Sequence, residues 1–298
     1  MNQRWFYLLV LVLMGLGWGS TQTLGKIAVS TGHRHFGLIF WQLVIAVLIL
    51  GVLLLVRRKA VPLNAASLRF ATIIAVIGTI IPNSTFYIAV GHLPAGIMSI
   101  LISTVPLLAF PIALALGTDR FGAARLAGLL CGLLGVVLIA VPEGALPGAG
   151  MVVWLPVAMI GPLFYAMESN YVARFGTAGM DAMQAMFLAS LVGMALVLPL
   201  VLTSGQWIDP FRLFGPPEWA LIASSSIHAF AYTAYVWLAA RAGAVFASQT
   251  SYIVTGSGVI WAMVLLGEGF SPWVWAALAV MLAGLTLVQP RHSPASVV

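Results

Sequence analysis

Long uninterrupted apolar runs, separated by short polar punctuation, dominate the chain. Runs of near-spanning length fall at about 5–29, 36–56, 70–90, 95–117, 121–141, 152–173, 181–203, 217–240, 244–266 and 272–289. The connections, such as "VRRKAVPLN", "GTDRF", "PEGALPGAG" and "SGQWIDPFRLFGPPE", leave no room for a folded domain outside the membrane. Strands of a membrane barrel would alternate apolar and polar positions, and these runs do not. Within hydrocarbon, a helix satisfies its backbone inside one segment. The pattern predicts an all-α polytopic membrane protein with ten transmembrane helices.

Composition supports this. The chain is 62% hydrophobic and 7% charged over 298 residues, where a globular domain carries about a quarter charged residues. The net charge of +6 does not indicate nucleic acid, because only Arg57, Arg58 and Lys59 form a run, and it lies between two apolar segments. Cys131 is the single cysteine, so no intramolecular disulfide forms and a packing role is expected. No metal-ligand cluster, cofactor motif or phosphate-binding loop is present, which argues against ATP-driven transport within the chain. The run after Arg4 is too long for a signal-peptide core and is broken by Gly17–Gln22, so it reads as a retained helix.

Lys and Arg set the expected orientation. With the N-terminus inside, the inner side receives Arg4, Arg57, Arg58, Lys59, Arg69, Arg120, Arg125, Arg174, Arg241 and Arg291. The outer side receives Lys26, Arg34 and Arg212. Both termini are therefore expected to be cytoplasmic, in the inner (cytoplasmic) membrane.

Sliding the chain by 149 residues brings Ala95–Ile139 onto Ala244–Val288 without a gap, pairing Ser99 with Ser248, Phe121 with Phe270, Gly135 with Gly284 and Asp119 with Glu268. Two units of five helices, 1–149 and 150–298, must have opposite orientations because five is odd. Inverted repeats of this kind place a substrate near the midplane between them.

The stretches "GLGWGSTQTLGK" (15–26), "LLGEGFSPWVWAALAVMLAGLTLV" (265–288) and its first-half counterpart "LGTDRFGAARLAGLLCGLLGVVL" (116–138) resemble the drug/metabolite transporter superfamily, in its EamA-type branch of ten-helix carriers. The resemblance implies a secondary transporter of small metabolites, often an exporter of amino acids or related compounds. It also implies a central cavity lined by segments 1, 3, 4, 6, 8 and 9, with 5 and 10 packed outside. The chain departs from the pattern at Gln42, where many relatives carry Arg, and at Gly117-Thr118-Asp119, where they carry Gly-Glu.

Polar positions inside the runs supply candidates for binding or coupling. Ser225, His228, Tyr232 and Tyr235 recur at helical spacing on one face of the eighth segment. Weaker stripes place Asn83 and Tyr87 in the third segment, Ser99 and Ser103 in the fourth, and Tyr252 with neighbouring Gln249 in the ninth. Trp18 and Gln42 lie in the first two. Helix packing competes with ligand binding as the reading of every stripe. Gly15/Gly19 and Gly128/Gly132 read as close helix contacts, and Asp119, Glu143, Asp181 and Glu268 as solvated boundary groups.

Glu168 stands apart, inside "PLFYAMESNYVARF" (162–175) with Tyr165 and Tyr171 on either side. It could carry a proton for coupled transport, attract a substrate ammonium with a tyrosine face beside it, or sit hydrated near Arg174. Its mate under the 149-residue shift is Gly19, so the repeat alone does not account for it. The expected partners are thus the bilayer, a small-molecule substrate and a coupling proton, with no nucleic acid, and the sequence leaves the oligomeric state open, a monomer included. An intramembrane enzyme using Glu168 and His228 as acid and base is the alternative, without a nucleophile or metal cluster to support it. A channel is a third option, without a selectivity filter.

Overall fold

The computed structural model describes residues 3–211, 213–242, 246–247 and 249–288. Among these, ten helices follow one another: α1 Gln3–Val29, α2 His35–Val56, α3 Ala65–His92, α4 Ala95–Ala115, α5 Ala123–Ala140, α6 Ala149–Phe175, α7 Ala182–Thr203, α8 Pro216–Ala242, α9 Thr250–Leu266 and α10 Pro272–Leu287. Seven are long and apolar enough to cross a bilayer, and α9 and α10 are shorter apolar helices. The protein is an all-helical polytopic membrane protein.

Two boundaries differ by five residues or more from the expected ones. Helix α3 begins at Ala65 rather than 70, because the Asn64 side chain accepts the Ser67 N–H (2.9 Å) while Ser67 Oγ accepts the Asn64 N–H (3.1 Å). Helix α9 begins at Thr250 rather than 244, with Gln249 at its N-cap. Residues 243–245 and 248 fall outside the described set, as do Arg212 and Arg291.

The packing follows a two-fold pattern. Helix α1 lies on α8 and α9, and its counterpart α6 lies on α3 and α4. Helix α2 lies on α7 and α8, and α7 on α2 and α3. Two further pairs, α4 with α9 and α5 with α10, map onto themselves. Glycines set the closeness of these crossings, as their spacing suggested. A Cβ on Gly15 would meet Ile253 of α9 at 2.7 Å, and one on Gly284 would meet Cys131 Cβ and the Gly128 carbonyl, each at 2.9 Å. Cys131 is thus a packing residue at the α5–α10 crossing. Away from it, Leu126, Leu130, Leu133, Leu134 and Val137 of α5 are exposed, as a lipid-facing side should be.

Two helices are broken. Helix α4 is interrupted at Ser103–Thr104 and restarts at Val105 with Pro106 in its first turn. Helix α3 contains a π-helical turn, Ala75–Ile80, in which the Ile81 N–H reaches the Val76 carbonyl five residues back. Pro82 follows, and it has no N–H to give to the Gly78 carbonyl four residues back. Wide turns of this kind recur at functional sites.

One end of the bundle carries Arg57, Arg58, Lys59, Arg69, Arg120, Arg125, Arg174 and Arg241 and is called the basic end here. There Lys59 pairs with Asp181, which caps α7 through the Gln184 N–H (2.9 Å), and the Gln184 side chain donates to the Ala60 carbonyl (2.6 Å). Partial burial acts to raise the Asp181 pKa, but Lys59 and the capping N–H outweigh it and hold the carboxyl below its usual range. A depressed folded value contributes stability above the unfolded pKa of about 3.9, and that contribution disappears as pH falls through the folded value. The melting midpoint in detergent should therefore drop more steeply below about pH 4 in the native protein than in Asp181→Asn, because Asn keeps the cap and loses the charge. Parallel pH–melting curves would overturn this assignment.

Candidate functional site

Glu168 of α6 lies against the π-turn of α3. Of the seven acidic residues in the chain, it alone lies in the body of a membrane helix. Its carboxyl rests on Gly78 in the π-turn of α3: a Cβ there would stand 2.5 Å from Cδ and 2.8 Å from Oε2. Among the described residues it has no hydrogen-bond or salt-bridge partner. Arg174, on the same helix, is exposed and is not paired with it.

Aromatic and amide groups surround this acid. Tyr165 OH donates to Asn83 Oδ1 at 3.0 Å, joining α6 to α3. Tyr87 OH donates to Gln42 Oε1 at 3.0 Å, joining α3 to α2. Tyr165 of α6 and Tyr232 of α8 lie within electrostatic reach of Glu168, and Tyr87 within reach of Tyr165. Asn83 and Tyr87 are buried, whereas Glu168, Tyr165, Tyr232 and Gln42 remain partly accessible although other helices enclose them. Under the 149-residue shift Asn83 falls on Tyr232 and Phe86 on Tyr235, so equivalent faces of α3 and α8 approach the site.

The shift also clarifies how the acid is accommodated. Gly78 and Glu168 fall on Ile227 and Gly19. In the α1–α8 pair the large residue belongs to α8, with Ile227 3.4 Å from a Cβ placed on Gly17. In the α6–α3 pair it belongs to α6. Gly19 itself meets Ser257, Val254 and Gly258 of α9 rather than Ile227, so the seat of Glu168 on Gly78 is not repeated in the α1–α8 pair.

A second polar group lies between α1 and α8. Trp18 Nε1–H donates to His228 Nδ1 at 3.1 Å, with the rings edge to face at 5.5 Å, and Tyr235 meets Trp18 at 6.2 Å. The indole is donor only, so Nδ1 offers its lone pair and the proton of the neutral ring is on Nε2. This occupied nitrogen weakens the alternative in which His228 works as an acid and base with Glu168. Three candidates are not brought to the site by their hydroxyls: Ser225, Ser99 and Ser103 donate to the carbonyls of Leu221 (2.7 Å), Ala95 (3.1 Å) and Ile100 (2.7 Å) in their own helices.

A cavity of about 500 Å³ opens at the basic end between α4, α6 and α9. Its polar lining comes from Thr118, Asp119, Arg125, Ser169, Asn170, Ser251 and Tyr252. Gln249 lies at the same end, one turn before Tyr252. Asp119 pairs with Arg125, whose guanidinium lies 5.8 Å over the Phe110 ring, and Asn170 donates to the carbonyls of Ala109 (3.0 Å) and Ala166 (2.9 Å). The resemblance places α5 and α10 outside the cavity lining. They do pack on each other, but Arg125, Leu285 and Val288 also bring their basic ends to this cavity.

The opposite end is sealed. Lys26 Nζ donates to the Val90 (3.1 Å) and Leu93 (2.6 Å) carbonyls at the end of α3. Glu268 accepts the N–H groups of Ala95 (2.7 Å) and Gly96 (3.0 Å) at the start of α4. Positive charge on helix C-terminal carbonyls and negative charge on N-terminal N–H groups are the favourable arrangement. Glu268 is thus not a solvated boundary acid; it ties the α9–α10 connection to α4. Only its place in "LLGEGF" marked it beforehand. Gly78 was marked only by Pro82 four residues later, whose missing N–H was the available signal.

The EamA-like transporter family model matches the chain twice, over residues 5–141 and 152–289. The chain belongs to the EamA-like transporter family. A solved crystal structure, 16% identical, covers 94% of this chain and 96% of its own with a TM-score of 0.61, which shows a shared fold. No match was found among curated proteins. For this EamA-like protein, membership establishes a membrane transporter of the drug/metabolite type built from two matched stretches.

Proposed function

We propose that the protein is a secondary transporter that exports small organic metabolites, such as amino acids or amines, across the cytoplasmic membrane by alternating access. The observation that carries this reading is an asymmetry between equivalent positions. Residues lining the basic-end cavity include Ala109, Phe110, Ala113, Asp119, Ser169 and Asn170. Their images under the 149-residue shift are Gly258, Val259, Ala262, Glu268, Ser20 and Thr21. Ser20 and Ala262 are buried where Ser169 is exposed and Ala113 half-buried, Phe110 and Asn170 are as buried as their images Val259 and Thr21, and Glu268 is engaged in the seal. One sequence pattern thus has two packings, open at one end and closed at the other, as an inverted repeat working in turn requires. With ten basic residues assigned inside, the open end faces the cytoplasm. Glu168 and its tyrosine and amide neighbours form the proposed midplane site.

The test is flux in liposomes with paired cysteine reporters, after replacing Cys131. A cysteine at Ser169 should react quickly with a maleimide and one at Ser20 slowly, and a transported solute should narrow the difference. Equal labelling that no solute changes, without flux of any amino acid or amine, would sink the proposal. Product formation without flux would favour the enzymatic alternative.

A further inference from the structure

We infer that the Glu168 site takes an organic cation, a protonated amine whose nitrogen sits against the carboxyl and whose carbon frame lies on the flanking tyrosines. This rests on the transporter reading above and deepens it. Geometry supplies the argument. The carboxyl lacks a partner among the described residues, although it is held within a helical bundle and pressed on Gly78. A lone charge in such a place is costly, and every other acid in the chain lies in a connection, at a cap or in a first helical turn. Native cations are committed elsewhere: Lys26 is spent on two carbonyls at the far end, and Lys59 and Arg125 pair with Asp181 and Asp119. The compensating positive charge comes from outside the chain, a proton when the site is empty and the ligand's ammonium when it is occupied.

The surrounding groups select an amine over a metal ion. A cluster of three His, Cys, Asp or Glu groups able to hold a metal does not occur among the described residues. Tyr165 and Tyr232 instead bring phenol groups within electrostatic reach of the acid. Tyr165 OH and Tyr87 OH already donate to Asn83 and Gln42, which leaves their oxygens as acceptors for ammonium hydrogens. An anionic metabolite would meet repulsion from Glu168. The absence of a side chain at Gly78 is what leaves room for the carboxyl, so the π-turn is part of the site.

Phenylethylamine is a suitable probe, with 2-phenylethanol and 3-phenylpropionate as neutral and anionic counterparts. Binding to the purified full-length protein in nanodiscs is read by calorimetry and melting shift. The amine should bind saturably and raise the melting midpoint, while the alcohol and the acid should not. Glu168→Gln should weaken the amine by about tenfold or more, as loss of a charge-assisted contact does, with partial recovery in Glu168→Asp. Because glutamine matches the protonated carboxyl of the empty site, the unliganded variant should melt no lower than the native protein, which guards against misfolding as the cause. Equal binding of amine and alcohol, or undiminished binding to Glu168→Gln, would overturn the inference. Flux separates the two readings: transport of a neutral solute by Glu168→Gln at the native rate, with no amine bound by the native protein, removes the amine and leaves the transporter. Amine binding that depends on Glu168, without flux of any solute, supports the inference and removes the transporter.

Discussion

Glu268→Ala should open the end of the bundle that is closed here. The native carboxylate accepts two backbone N–H groups, from Ala95 and Gly96, across the boundary between the two repeats. A hydrogen bond to a charged group contributes about 1.5–3 kcal/mol, so losing both removes roughly 3–6 kcal/mol from the closed end. The same change deprives Lys26 of the opposite charge nearest the turn it grips. A shift of about 5.5 kcal/mol carries a two-state equilibrium from 99:1 to 1:99. Amide exchange at Ala95 and Gly96 should accelerate by about a hundredfold or more, and a cysteine at Ser20 should become as reactive as one at Ser169. Glu268→Gln keeps one good acceptor and should fall between. Unchanged exchange at Ala95 and Gly96 in the alanine variant would show that the seal lies elsewhere.

The second large effect concerns the contact of α1, α4 and α9. A Cβ on Gly258 would lie 2.6 Å from Ser99 Cβ and 3.2 Å from the Gly19 carbonyl, and Ser99 is fully buried. A Cβ on Gly19 would clash with Ser257 Oγ and would lie 2.9 Å from the Val254 carbonyl. Each alanine should destabilise the protein by about 1–3 kcal/mol through overpacking, and each valine by more. The two sites differ in what can relieve them. At Gly258 the worst obstacle is a side chain, so Ser99→Gly should recover most of the loss in Gly258→Ala. At Gly19 the backbone of α9 remains in the way, so Ser257→Gly should recover little of the loss in Gly19→Ala. A double-mutant cycle on melting stability reads the difference, and equal rescue at both sites would contradict the packing described.

These two contacts show how much could be read from the chain. The ten apolar runs were legible because each helix satisfies its backbone within one continuous segment, and hydropathy alone reports that. The Gly15/Gly19 pair was legible as a close contact for the same local reason. Glu168 announced itself as a charge with no place in its surroundings. What it touches did not, since Gly78 lies far off in sequence and its room depends on a π-turn that no apolar period encodes. Glu268 was misread as a solvated acid because its partners are backbone N–H groups 172 and 173 residues away. Backbone groups look alike in every sequence, so caps formed across the fold leave little trace, whereas the Asn64–Ser67 cap is formed within three residues and could have been found. Trp18 and His228 were both candidates, but nothing in one dimension joined them.

The crossing of α5 and α10 has a geometric consequence. Gly135 of α5 and Gly284 of α10 are images of each other, and both lie in that crossing, against Met281 and Cys131. A contact that maps onto itself under the repeat operation contains the operation's axis. Under the alternating access proposed above, points on that axis would stay where they are. The glycine-tight junction that looks like inert scaffolding, together with the self-mapping α4–α9 contact, would then be the line about which the repeats turn, and its missing side chains keep the two helices close there.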